Sequence, residues 1–410
     1  MTKDELVPIS TTGLPPVKIR DVKFIGVQLM GSSLGIVKVQ TDQAGLHGYG
    51  CASMTTRIRA VQTAVEQYLR PFLIGRDADR IEEVWQSAYL NSVYRSGPVL
   101  NNALSGVDQA LWDIKGRRAN MPVYQLLGGK CRNAADVYVH AGGNTPQAAA
   151  DDVLRLMDAG FRNVRVQGGG AVARATSASV EGAPLYDARA TMRATVKLFE
   201  GVRQRCGEQV NLLHDIHETV SASEAVVLCK QLEPFDLYFV EDPLSSEDIG
   251  HFELLRQHCT TPIAVGEKFH SPHEWVPLIT NRLIDFIRVH VSLAGGLSVA
   301  RKIATLGEHF AVKTAWHGPS DVSPVGHAAN LALDLTCPNF GIQEWTELDD
   351  QARDVFPGAP ECRDGYLWAT EAPGWGIELN EQSARKCPLR DDLAGHFGNM
   401  RRPDGSVMRW

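Results

Sequence analysis

The chain has 410 residues, of which 44% are hydrophobic and 22% are charged. A chain of this length can bury a large core and is expected to form more than one domain. The formal net charge is −7, with acidic and basic residues mixed along the chain. This pattern argues against a nucleic-acid partner and against binding to an anionic membrane surface.

Cysteine usage and the N-terminal residues indicate the compartment. The eight cysteines are scattered and form no CxxC pair, which argues against a disulfide framework and a zinc site. Residues Met1–Leu6 are polar and unlike a secretory signal, and no apolar run reaches about 18 residues. We therefore expect a soluble, cytoplasmic, globular protein without a membrane partner.

The first third of the chain predicts an α+β domain over residues 1–131. Val17–Leu29 and Gly35–Gln40 are rich in Val and Ile and predict strands, followed by turn residues at 41–45. Apolar residues at helical spacing then predict helices over Thr55–Leu73, Asp79–Tyr94 and Val99–Arg118.

From about Ala134 the pattern changes to alternating strands and helices, which favours a (β/α)-barrel over an open sheet. We assign residues 132–375 to this barrel and 376–410 to a C-terminal segment. The polar stretch Gly168–Asp187 is too long for an ordinary connection and predicts a lid over the barrel rim. The predicted strands are Ala135–His140, Asn163–Gln167, Val210–Asp215, Leu237–Glu241, Pro262–Gly266, Ile284–Val289, Ala311–Ala315 and Phe340–Gln343.

Three acidic residues end consecutive predicted strands. Asp215, Glu241 and Glu267 are each separated from the next by 26 residues, about one strand plus one crossover helix. Their carboxylates are therefore expected on one rim of the barrel, where active sites of this architecture lie. Converging carboxylates repel unless a hard cation neutralises them, and an all-oxygen set suits Mg²⁺. The alternative is that each acid only caps the helix that follows it.

Several motifs resemble the enolase superfamily, and the resemblance covers about residues 17–410. They are Ala103–Gly116, Pro122–Gly129, Glu241–Pro243, Val265–Glu267 and Ala294–Gly296. The resemblance implies a (β/α)₇β barrel with a capping domain formed by the N-terminal and C-terminal segments. It also implies Mg²⁺ on the three strand-end carboxylates and a homo-oligomer. The cap hairpin near Met30–Ser33 is expected to close the substrate pocket.

Four strand ends resemble the mannonate dehydratase subgroup, which dehydrates sugar acids to 2-keto-3-deoxy sugar acids. They are Val164–Gln167, His214–His217, His317–Asp321 and Asn339–Glu344. The substrate implied is a small acid sugar, D-gluconate or D-mannonate. Because side chains two apart on a strand point the same way, His217 is expected to share the cavity of Asp215.

The chemistry implied is abstraction of the proton α to a carboxylate, followed by loss of the 3-hydroxyl group. His217 is the candidate general acid, because its imidazole can be protonated near neutral pH. Arg165 is expected to orient the substrate or a neighbouring base. Gln167, Arg288 and Glu344 are expected to contact the substrate, and for Arg288 a salt bridge is an equal alternative.

The sequence departs from efficient mannonate dehydratases at two places. At the position of the loop tyrosine in those enzymes this chain has Ser177, and its nearest tyrosine, Tyr186, lies nine residues later. Where those enzymes have alanine after the histidine and glycine of strand seven, this chain has Pro319. These departures leave His317 as the expected base, favour gluconate over mannonate and predict a dehydratase of low efficiency. Two other functions stay open: an epimerase or dehydratase acting on another acid sugar, and a catalytically impaired protein with a binding or regulatory role.

Overall fold

Three antiparallel strands begin the fold in a computed structural model, which describes residues 15–167, 179–180, 183–390 and 400–408. The strands are Ile19–Leu29, Ser32–Thr41 and His47–Cys51, paired in chain order. Met30 and Gly31 form the first turn, and both have positive φ, 50° and 78°. Two such residues match the right-handed twist of the strands they join.

The helices of the N-terminal region pack against this sheet. The longest, Pro98–Ala119, is buried along most of its length. It approaches the third strand closely, because a Cβ atom on Gly50 would lie 2.0 Å from the carbonyl oxygen of Gly106. The helical segments of this region are Ile58–Thr63, the π-helical Ala64–Leu69, Arg70–Leu73, Ile81–Leu90, Pro98–Ala119 and Val123–Leu126.

Eight parallel strands among the described residues close into a barrel. Gln343–Glu344 pairs with Ala135–Ala141, and a bridge between Thr314 and Phe340 joins the last two strands. The predicted (β/α)₇β class with a capping domain is confirmed. In barrel order the strands are Ala135–Ala141, Asn163–Val166, Asn211–Asp215, Phe239–Glu241, Ile263–Val265, Phe286–Ile287, Lys313–Thr314 and Gln343–Glu344.

Helices surround the barrel, and apolar side chains fill its interior. The interior layer is Tyr138, Leu213, Phe239, Ala264, Phe286, Ala315 and Ile342, all buried. The outer helices are Pro146–Asp158, Ala188–Cys206, Ala222–Leu232, Phe252–His258, Pro272–Thr280, Val291–Ala294, Leu297–His309 and Pro324–Thr336. Short 3₁₀ turns lie at Glu233–Phe235 and Ile249–His251. After the barrel come the helix Asp350–Val355, a hairpin of Glu361–Arg363 with Tyr366–Trp368, and the helix Glu381–Ala384.

The N-terminal domain lies over the C-terminal ends of the barrel strands. Trp85 donates from Nε1 to the carbonyl oxygen of Gly295 at 2.8 Å, and Asn101 donates to that of His270 at 2.8 Å. Ser32, at the first hairpin, lies 3.2 Å from Ser320 between hydroxyl oxygens. Since Gly295, His270 and Ser320 all follow strand ends, the cap covers the rim that carries the strand-end acids.

The C-terminal segment makes two different sets of contacts. Its first part returns to the cap, where Lys38 pairs with Glu381 at 2.6 Å and Gln28 donates its backbone N–H to Cys387. Residues 400–408 instead contact the second βα connection of the barrel, since Tyr186 donates its backbone N–H to Arg401 at 2.7 Å. The domain boundaries at 131 and 375 stay a prediction.

The predicted lid and the possibility of a membrane-spanning helix can be compared only with the described residues. Most of the predicted lid, residues 168–178 and 181–182, lies outside the described residues. Of the remainder, Ser179–Val180 pairs with Ala183–Pro184 as a short antiparallel ladder. Within the described ranges no helix is long and apolar enough to cross a membrane.

Candidate active site

Two of the predicted metal ligands lie side by side at the barrel rim. Asp215 and Glu241 end adjacent parallel strands and are paired in register. Both are buried, at 4% and 0% exposure. Together with Asp242 they offer oxygen atoms within 4.8 Å of one another. This is the spacing that a single cation needs from its ligands.

Asp242 is a member of this group that the sequence analysis missed. Neighbouring residues in a regular strand point to opposite faces, so strand alternation alone would turn Asp242 away from Glu241. Its φ of 40° places it in the left-handed region, which ends the strand and returns the side chain to the rim. It accepts from the backbone N–H of Gly266 at 3.2 Å.

Glu267, the third predicted ligand, joins the group through an arginine. Its Oε2 accepts from Arg288 Nη1 at 2.9 Å, and the same nitrogen lies 3.4 Å from Asp242 Oδ2. Two imidazoles approach its two oxygens: His217 Nε2 lies 3.4 Å from Oε1 and His317 Nε2 lies 3.4 Å from Oε2. Glu267 therefore lies between the two predicted catalytic histidines.

Arg288 lies fully buried at the centre of the acidic group. Its Nη2 lies 2.8 Å from Glu241 and 2.5 Å from Glu344. Its Nη1 also contacts Asp242 and Glu267, so four carboxylates surround this guanidinium group. Arg288 thus makes the salt bridges given as one alternative, and its role as a substrate contact stays a prediction.

Arg165 and Gln167 point inward from the second barrel strand. Arg165 Nη1 lies 2.7 Å from Glu241 Oε1, and Gln167 Nε2 donates to Asp215 Oδ2 at 2.8 Å. Burial lowers the pKa of Arg165, but the carboxylates of Glu241 and Glu344 outweigh it and raise the pKa above its ordinary value. Arg165 is thus a fixed cation.

The charges at the rim do not balance without a further cation. The five carboxylates in contact with Arg165 or Arg288, if ionised, exceed the two guanidinium groups by three negative charges. Burial, with repulsion from Asp215 and Glu344, raises the pKa of Glu241 to about 8. Asp215 Oδ1 is buried and has no hydrogen-bond partner in the described part of the chain. An excess of buried charge and an unpaired carboxylate oxygen fit a hard divalent cation such as Mg²⁺.

The first barrel strand contributes two residues that the sequence analysis did not select. Tyr138 donates from its hydroxyl to Glu241 Oε2 at 3.1 Å and accepts from Arg288 Nε at 3.1 Å. His140, two residues on, lies 2.8 Å from Glu344 through Nε2. Their spacing of two on a strand that ends at the rim was the available clue.

His317 is paired with a second histidine. Its Nδ1 lies 3.0 Å from Nδ1 of His290, which follows the sixth barrel strand and lies two residues after Arg288. Both rings are buried. Burial lowers the pKa of His317, but its hydrogen bond with Glu267 outweighs this, and the net pKa is raised. His290 was not selected from the sequence, although its spacing of two residues from Arg288 indicated that both side chains face the same way.

His217 reaches the site by a route that differs from the expected one. The strand ends at Asp215, and His217 and Glu218 have φ of 56° and 58°. The His217 imidazole therefore reaches the site through a left-handed turn and not through the alternation of side chains along a strand. Such conformations cost on the order of 1–3 kcal/mol for each non-glycine residue and persist where surrounding contacts hold them.

A cavity of about 750 Å³ connects these groups to the cap. Ser32, Thr55 and Met54 line it from the cap, and Tyr186 and Met400 line it from the second βα connection and the C-terminal segment. The Tyr186 hydroxyl donates to Thr219 at 2.9 Å, and burial raises the pKa of this tyrosine. Ser177, the position of the absent loop tyrosine, lies outside the described residues.

Two family models match the chain. Residues 15–128 match the N-terminal domain of mandelate racemase and muconate lactonizing enzyme, and residues 148–383 match the enolase C-terminal domain-like family. The two matches coincide with the cap and with most of the barrel.

Similar proteins match over almost the full length. A D-galactonate dehydratase family member from Musicola paradisiaca is 44% identical over 414 residues, covering 96% of this chain and 99% of the relative. One from Enterococcus gallinarum is 45% identical, covering 95% and 98%. The crystal structure of an enolase from Pantoea ananatis with bound D-gluconate and Mg aligns with a TM-score of 0.91 and 43% identity, covering 96% of this chain and all of that one.

Proposed function

Because the chain belongs to the enolase superfamily and is a sugar-acid dehydratase of the hydro-lyase class, we propose that its substrate is D-gluconate. The observation that carries this proposal is the placement of His217 and His317 at the two oxygens of Glu267. The bound D-gluconate and Mg of the Pantoea ananatis enolase support both the acid and the metal.

We propose that Mg²⁺ is held by Asp215, Glu241 and Glu267, with Asp242 beside them. Bound there, the ion would neutralise the negative charge that develops on the substrate carboxylate as the α-proton leaves. Arg165 and Arg288 oppose the rise in the pKa of Glu241 and hold the ligand carboxylates in place, because each donates to at least one of them.

The two histidines divide the proton transfers. His317 Nε2 accepts the proton from C2 of the acid, and the C2–C3 double bond forms as the C3–O bond breaks. His217 donates a proton to the departing hydroxyl, which leaves as water. The enol that remains tautomerises to the 2-keto-3-deoxy acid. Proton transfer by a positioned group of this kind contributes on the order of 10²–10⁴-fold.

The choice between gluconate and mannonate depends on which side of the cavity carries a base. The two acids differ in configuration at C2, so their C2 protons face opposite walls when the carboxylate and C3 are fixed. On the strand-two wall, Arg165 is a permanent cation and Tyr186 has a raised pKa and a hydrogen bond to Thr219. The strand-seven wall carries His317. Gluconate is therefore the expected substrate.

The test is a panel of aldonic acids incubated with purified protein and Mg²⁺. Formation of 2-keto-3-deoxy acids is followed by a colorimetric assay and the products are identified by NMR. The expected result is turnover of gluconate that chelation of the metal abolishes. The proposed substrate would be contradicted if the protein turned over other acids but not gluconate. It would also be contradicted if no acid were turned over with either Mg²⁺ or Mn²⁺.

A further inference from the structure

The turn that carries His217 is held from several sides. Glu218 donates its backbone N–H to the carbonyl oxygen of Asp242 at 2.9 Å. Thr219 donates from its hydroxyl to the carbonyl oxygen of Ile216 at 2.7 Å, which closes the turn on itself. These bonds fix the backbone at one end of the turn, but they do not connect it to the strand that carries Glu267.

The Glu218 side chain supplies that connection. It is buried, at 5% exposure. Its Oε1 accepts from the backbone N–H of Ser246 at 3.3 Å, and its Oε2 accepts from Lys268 Nζ at 3.0 Å. Lys268 directly follows Glu267 and lines the cavity. Two parallel links thus join the same pair of strand ends: His217 to Glu267, and Glu218 to Lys268.

We propose that Glu218 and Lys268 are positioning residues that hold the left-handed turn so that the His217 imidazole faces Glu267. The role of His217 as general acid belongs to the proposed function, on which this inference rests. An ion pair between the buried Glu218 and the half-buried Lys268 is suited to the task, because two charged side chains with fixed partners restrict both loops. A proton donor must lie within hydrogen-bond reach of the group that it protonates, and small displacements reduce the rate.

The first variant is Lys268→Met, which keeps much of the side-chain length and removes the charge. We expect kcat for gluconate to fall about tenfold to a hundredfold with little change in KM. Lys268→Arg, which can still donate to Glu218, is expected to restore most of kcat. A raised KM with unchanged kcat would overturn the inference, because Lys268 would then bind the substrate directly.

A double-mutant cycle shows whether the pair acts through His217. If it does, Lys268→Met added to His217→Asn causes no further loss of kcat, because contacting residues are not additive. If the fold losses of kcat in the two single variants multiplied in the double variant, the inference would be overturned. Lys38→Met is the matched control, since it breaks a pair of similar length, 2.6 Å to Glu381, between the cap and the C-terminal segment. Its kcat is expected to equal that of the wild type.

A crystal structure of Glu218→Gln gives a readout that does not depend on activity. The expected result is a changed φ at His217 and a longer distance from its Nε2 to Glu267. An unchanged turn would overturn the inference even if gluconate is the substrate. If no aldonic acid is turned over, the proposed function fails and this structural comparison still decides whether the pair holds the turn.

Discussion

At the scale of single residues, Glu241 is the predicted metal ligand that contacts both guanidinium groups of the rim. It is fully buried and lies 2.7 Å from Arg165 and 2.8 Å from Arg288. Glu241→Gln keeps the shape and removes the charge, so we expect loss of turnover and much weaker Mg²⁺ binding with the fold intact. Calorimetric titration with Mg²⁺ and far-UV circular dichroism measure the two effects. Glu253→Gln, an exposed acid, is the control, and equal Mg²⁺ affinity in both variants would contradict the assignment.

Tyr138 is the second residue with a testable role. Tyr138→Phe removes the hydroxyl that joins Glu241 to Arg288 and leaves two buried charged groups each short of one partner. We expect the free energy of unfolding to fall by about 1–3 kcal/mol, the usual cost of an unsatisfied buried group. Urea unfolding measures it. Tyr238→Phe is the control, because no hydrogen bond to that hydroxyl is found within the described ranges, and equal losses in both variants would refute the role.

Residue patterns predicted part of this site and missed part of it for identifiable reasons. Asp215, Glu241 and Glu267 were found because each ends an apolar run at a regular spacing. Asp242 was missed because its inward position depends on a positive φ that no sequence pattern shows. His290 was missed because its partner, His317, is 27 residues away in the chain and meets it only through the barrel.

At the scale of elements, the long cap helix Pro98–Ala119 and the barrel helix Leu297–His309 meet at a buried acid. Asp108 accepts from the Ser298 hydroxyl at 2.5 Å and from its backbone N–H at 3.1 Å. Burial raises the pKa of Asp108 to about 7. The unfolded chain titrates near its ordinary value of about 4, so the folded state binds more protons between these values.

The sign of the resulting pH dependence follows from this excess of bound protons. Stability falls as pH rises from about 4 to about 7, by at most about 4 kcal/mol, and is level above that range. In Asp108→Asn this contribution disappears, so the variant gains stability relative to wild type as pH rises. Urea unfolding at several pH values measures the difference. If the free energy of unfolding depended on pH in the same way in both proteins, the raised pKa of Asp108 would be contradicted.

Element boundaries were predicted best where hydrophobic periodicity was long. Pro98–Ala119 extends the predicted helix Val99–Arg118 by only one residue at each end. The short barrel strands were shifted: the last was expected at Phe340–Gln343 and lies at Gln343–Glu344. In a closed barrel the paired length depends on the neighbouring strands, which the local sequence does not contain.

At the scale of the whole molecule, the candidate active site lies where the cap meets the barrel. The barrel supplies the charged groups, and the cap supplies Ser32, Met54 and Thr55 to the cavity wall. The cap was predictable in outline from its strands and helices, but its placement over the rim came from the family resemblance. The local sequence could not provide it, because the contacts join residues far apart in the chain.

The homo-oligomer expected from the resemblance is a further prediction at this scale. Val93 and Tyr94 in the cap are 86% and 88% exposed, and exposed apolar residues of this kind often lie at subunit contacts. Sedimentation velocity is expected to give a mass that is a multiple of 44.9 kDa. A single species at the monomer mass over a range of concentrations would contradict it.

The most direct test of the central claim is the ratio of kcat/KM for D-gluconate to that for D-mannonate, in wild type and in His317→Asn. The wild type is predicted to favour gluconate, because the proposed base, His317, lies on the strand-seven wall. The variant is predicted to lose about a hundredfold or more of its activity on gluconate. A preference for mannonate in the wild type, or a variant as fast as the wild type, would contradict the account.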